Sequence, residues 1–115
     1  MMTFDDGIIK IYCVKNISKP GDMPVTGLKY KAEEHFKYLE LGITRFYQAM
    51  QNNQQIDSVI ATYHNPFVRI NDIVIDENGE QYKIRMLQKA EDDGLSILKM
   101  SLERLSEKYE KIAAG

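Results

Sequence analysis

The sequence predicts a mainly β fold: a small antiparallel β-barrel or sandwich of about six strands with one short α-helix. Three observations carry this. Segments rich in β-branched and aromatic residues recur, and several alternate apolar and polar residues with period two. Turn signals such as Asp76-Glu77-Asn78-Gly79 and Asp92-Asp93-Gly94 separate them at short intervals. Long helical stretches between strands, which parallel βαβ units require, are missing. A length of 115 residues is expected to form one domain. A chain of this size buries roughly two-thirds of its unfolded surface, enough for one core without disulfide or metal staples.

Residues 8–14 (IIKIYCV) read as the first strand. Residues 16–27 contain Pro20, Gly21, Pro24 and Gly27, a density of Pro and Gly that opposes regular structure. A long loop is expected there, mobile through residue 28, and loops of such length are often functional. Residues 30–39 place Tyr30, Ala32, Phe36 and Tyr38 on one face and Lys31, Glu33, His35 and Lys37 on the other, so a half-buried strand is expected. Glu34 alone breaks the apolar face. Ile43, Phe46, Tyr47 and Met50 follow i, i+3, i+4, i+7 spacing, which predicts a short helix over 44–50 with Thr44 as N-cap and an apolar stripe toward the core.

The remainder reads as a meander. Residues 58–63 (SVIATY) are a strand, the Asn65-Pro66 step bends the chain, and residues 70–75 (INDIVI) are the next strand. Asn78-Gly79 marks a hairpin turn, because both residues take positive φ cheaply. Residues 81–88 alternate Tyr82, Ile84 and Met86 against Gln81, Lys83 and Arg85, and residues 98–102 alternate Leu98, Met100 and Leu102 against Lys99 and Ser101. The tail, 106–115, reads as a short helix or a frayed end.

The composition is that of a soluble globular protein, with 43% apolar and 28% charged residues. The net charge of −2 lacks the basic footprint expected of a nucleic-acid binder. One cysteine, Cys13, excludes an internal disulfide and a Cys-based zinc site, and fits a reducing compartment. It reads as a small buried hydrophobe in an apolar strand rather than a reactive thiolate. The first seven residues are polar and acidic, unlike a signal peptide, and no apolar run nears the about 20 residues of a membrane helix.

Chemistry is sparse. His35 and His64 are the only imidazoles, and the phosphate-loop, nucleophile-elbow and zinc-helix motifs are missing. Glu91, Asp92 and Asp93 lack the spaced ligands of a calcium loop and read as a solvated turn. Glu33 and Glu34 point to opposite faces of a strand and cannot act as a pair. No enzyme activity, cofactor, metal or small-molecule substrate is expected. The alternative reading is a small barrel that binds nucleic acid through Tyr12, Tyr63 and Tyr82 with Lys10, Lys83 and Arg85 nearby.

One ordered set of motifs goes further. Residues 40–50 read E-L-G-I-T-R-F-Y-Q-A-M. Then come R-I-N-D-I-V-I (69–75), D-E-N-G-E-Q-Y-K-I (76–84), an acidic turn over 88–93 and a Leu-rich last strand over 98–102. Across about residues 8–104, this order resembles the head–tail adaptor (head-completion, or stopper) family of tailed bacteriophages and prophages. A tail beyond Arg104 and a Tyr/Lys-rich second strand depart from the family pattern. The resemblance implies a structural protein of the virion neck, present in the bacterial host cytoplasm before assembly. It implies a ring of identical copies that helps close the DNA channel and docks the tail. Partners would be the portal-side adaptor and tail proteins, with double-stranded DNA only as passing cargo and no membrane. Contacts are expected from Pro20, Asp22, Met23 and Pro24 in the long loop, from Pro66 and Phe67 in the second bend, and from the tail.

Overall fold

A computed structural model of the chain describes residues 3–16, 18, 21, 23, 25–40, 55–110 and 112. Six strands form a closed antiparallel barrel: β1 (Gly7–Asn16), β2 (Thr26–Leu39), β3 (Ser58–Tyr63), β4 (Ile73–Ile75), β5 (Gln81–Asp92) and β6 (Leu95–Arg104). Their order around the barrel is β1-β2-β3-β6-β5-β4, with β4 closing on β1. The mainly β expectation is correct, but the expected meander holds only for β4, β5 and β6, because β3 pairs with β6 rather than with β4. The helix expected over 44–50, with its apolar stripe, lies outside the described residues.

Alternation along the strands produces the core. Ile9, Ile11, Phe36, Ile60, Val74, Ile84, Leu98, Met100 and Leu102 form one buried cluster inside the barrel. Their β-branched and long apolar side chains fit the pleat and fill a six-stranded interior. Opposite phases bury two smaller clusters on the outer surface. Tyr12, Leu28 and Ile73 pack with Ile75, Leu105 and Tyr109, while Phe4 packs with Ala61 and Ile97.

Two bulges set these phases. On β2, Ile11 faces Ala32 and Tyr12 faces Tyr30, so Lys31 has no partner across the ladder. On β5, Ile84 faces Leu102 and Met86 faces Ser101, so Arg85 is the extra residue. An extra residue shifts every later side chain by one position. Tyr30 therefore leaves the face of Phe36 and meets Tyr12 edge-on, with ring centroids 5.7 Å apart. The single apolar face expected from residue 30 to residue 38 is corrected by this shift. Glu34, the apparent flaw in that face, accepts a hydrogen bond from Asn65 Nδ2 at 3.1 Å.

Several boundaries also differ from expectation. β1 and β2 continue through Lys15–Gly27 and Asn16–Thr26 pairs, so the connection between them spans 17–25 rather than 16–28. Backbone pairing across the hairpin overrides the local preference of Gly27. β4 is shorter than residues 70–75, because Ile70 and Asn71 lie in a turn where Asn71 has a φ of 73°. β5 and β6 extend to a two-residue turn, where Asp93 and Gly94 have φ of 49° and 79°. Both values fit the turn that matches strand twist. Gly94→Ala places a Cβ in the left-handed region and is expected to cost about 1 kcal/mol, read as a lower urea midpoint.

The tail is neither helix nor frayed over its described part. It bends at Ser106 and Glu107 and returns along the barrel. Leu105 N–H donates to Gln81 O at 2.9 Å. Gln81 Nε2 donates to Tyr109 O at 2.9 Å, and Tyr109 N–H donates to Gln81 Oε1 at 2.8 Å. The buried Gln81 side chain thus acts as a neighbouring strand would, and Leu105 and Tyr109 supply the apolar contact that propensity alone does not reveal.

Candidate functional site

Antiparallel order places the β1–β2, β3–β4 and β5–β6 connections at one end of the barrel. β3 and β4 stand opposite each other around the barrel, so residues 64–72 must cross its mouth. They do so as a plug. Val68 is buried in the inner cluster. His64 N–H donates to Ser96 O of β6 at 3.2 Å, and Asn65 Nδ2 reaches Glu34 of β2. Asn71 N–H donates to Ile84 O at 2.8 Å, and Ile84 N–H donates to Asp72 O at 2.9 Å.

Lys31 and Asp72 hold the far end of the plug. The bulge frees Lys31 from the ladder, and its Nζ lies 2.5 Å from Asp72 Oδ2. The same oxygen accepts Arg69 N–H at 2.8 Å, closing the turn that carries Ile70. Arg69 Nη1 donates to the carbonyls of Pro66 and Val68, the latter at 3.2 Å. Asn65 Oδ1 accepts Phe67 N–H at 2.9 Å, which shapes the bend before Pro66 into a side-chain-closed turn.

The plug presents apolar groups outward. Phe67 is 71% exposed and Ile70 54% exposed. Met23, in the β1–β2 connection at the same end, is 84% exposed. Large apolar side chains held open on a braced backbone are the usual mark of a protein-binding surface. Of the residues expected from sequence to make contacts, Met23, Pro66 and Phe67 are exposed at this end. Pro20, Asp22 and Pro24 lie outside the described residues. The described tail lies along the outer wall of β1, β2 and β4. Ile70 was absorbed into a strand by its β-branched neighbours. The Asn71-Asp72 step, a good turn pair, is the signal that would have placed it outside.

His35 and His64 are exposed, on β2 and on the plug, beside the hydrogen-bonded pair Glu34 and Asn65. Cys13 is half-buried rather than buried. Among the described residues, no group of three or more His, Cys, Asp or Glu could hold a metal ion. No helix among them is long and apolar enough to cross a membrane. Tyr12, Tyr63 and Tyr82 do not share a surface. Tyr12 is buried against the tail, Tyr63 packs on Phe4 at 4.4 Å, and Tyr82 packs on the inner cluster. Burial pushes the Tyr82 phenol above its ordinary pKa.

No protein-family model matches the chain, and comparison with curated proteins likewise finds no match. Function is therefore read from the residues and their arrangement.

Proposed function

We propose that this protein is a structural neck component of a tailed phage or prophage, a head–tail adaptor that assembles as a ring between portal and tail. The observation that carries the reading is the braced apolar mouth. Phe67 and Ile70 are exposed on the braced 64–72 segment and Met23 is exposed at the same end, while most other large apolar groups among the described residues are packed. A ring subunit needs such a surface for neighbours, and it needs the surface rigid so that association does not cost ordering entropy. The motif order from residue 40 to residue 102 supports the same family. The reading assigns no catalytic step.

Mixing the purified protein with portal complexes encoded by the same genome tests it. Wild-type protein is expected to co-sediment with the portal as a ring. Phe67→Asp is expected to lose this association while keeping the wild-type melting temperature, because the side chain is exposed and charge at an apolar contact is costly. A tight wild-type dimer that ignores portal complexes would sink the proposal.

A further inference from the structure

The tail covers an outer groove that it does not fill. Tyr12, Leu28, Ile73 and Ile75 form its floor, and Leu105 and Tyr109 lie upon them. Ile112 meets Leu28 as a single parallel bridge yet remains half-exposed. Beside Ile112, Ile8, Lys10, Tyr12, Glu33 and Ile75 line a further open hollow of about 470 Å³.

The tail is held at two places. The side chains of Gln81 and Glu80 bind residues 108–109, and Ile112 bridges Leu28 of β2. Glu80 binds Lys108 at 3.4 Å on the surface, where an ion pair contributes little. The bend at Ser106 and Glu107 is exposed and carries no apolar anchor. A segment with specific end contacts and a solvent-exposed hinge exchanges between copies at low cost, because every contact made within one chain is remade between two.

We infer that the groove floored by Tyr12, Leu28, Ile73 and Ile75 also receives the tail of a second copy of this chain, seated by Gln81 on Tyr109. The occupant follows from the bonds themselves. The same segment already satisfies both hydrogen-bonding ends of Gln81 and the apolar floor. Exchange between chains becomes competitive when neighbouring copies approach the effective concentration of the tethered tail, roughly millimolar for a short flexible link. The inference does not depend on the neck reading, since it concerns two copies of the chain alone.

Three full-length proteins test it, each carrying Cys13→Ser: Leu28→Cys, Ile112→Cys, and both together. Leu28→Cys and Ile112→Cys are unfolded together in urea, refolded at high concentration, oxidised and run on a non-reducing gel. A covalent dimer joining the two variants, in excess over dimers of either variant with itself, is expected. The inference is overturned if the double variant closes internally while the mixture gives no such excess. It is equally overturned if neither bond forms. Should Leu28→Cys fail to fold, sedimentation of the unmodified chain and of Gln81→Leu decides. The unmodified chain is expected to form a concentration-dependent dimer that Gln81→Leu loses. A wild-type monomer at every concentration rejects the inference.

Discussion

Asp72→Ala is expected to lower the unfolding free energy by about 3–5 kcal/mol, the cost typical of removing one partner of a buried ion pair. Asp72 is 5% exposed and its Oδ2 serves two donors, Lys31 Nζ and Arg69 N–H. Removing it strands a charge near the barrel mouth and opens the turn that carries Ile70. Lys31→Met is expected to cost less, because Arg69 N–H still satisfies the carboxylate. The double variant Lys31→Met/Asp72→Ala should cost less than the sum of the two, since no charge is left without its partner. Urea unfolding of the four proteins gives the coupling directly. A cost below about 1 kcal/mol for Asp72→Ala, the range of exposed pairs, would show that the plug is held by Val68 and its main-chain bonds instead.

Phe36→Ala is expected to be comparably severe, about 3–5 kcal/mol, from lost transfer energy and the cavity left behind. Phe36 belongs to the inner cluster, and its ring also meets Tyr38 edge-on at 4.9 Å. Tyr30→Ala and Tyr38→Ala, at residues expected from alternation to share that face, should each cost only about 1 kcal/mol or less. Both are about half-exposed, at 48% and 54%. Tyr30 is turned outward by the Lys31 bulge, and Tyr38 lies near the end of β2. Equal losses for all three aromatics would mean that the bulge is wrongly placed. A melt monitored by far-UV circular dichroism, with urea unfolding for the free energies, separates the outcomes.

These two tests bear on how function divides from scaffold. The inner cluster and the Lys31–Asp72 pair hold the mouth in shape, while Phe67, Ile70 and Met23 are exposed. Destabilising variants should impair association only through loss of fold. Phe67→Asp should impair it with the fold intact.

Much of the architecture was legible along the chain. Period-two runs located β2, β5 and β6, and apolar runs rich in β-branched residues located β1, β3 and β4. Asn78-Gly79 and Asp93-Gly94 located two turns, because positive φ is a property of one or two residues and needs no distant partner. The acidic turn proved to be the tip of a longer hairpin, and Gly27 proved to be in a strand. Pairing energy from a neighbouring strand decides such ends, and no single-strand pattern contains it.

The sequence by itself determined that this chain is mainly β, where its hairpins turn, and that Pro66 and Phe67 sit at a bend. Only the tertiary structure decided that Lys31 and Arg85 are extra residues in their ladders, that residues 64–72 plug the mouth, that Ile70 faces out beside Phe67, and that the tail is seated by Gln81. The physical reason is range. Alternation and turn preference act within a few residues. Barrel closure, bulge position and the 41-residue separation of Lys31 from Asp72 depend on which strands come to lie side by side.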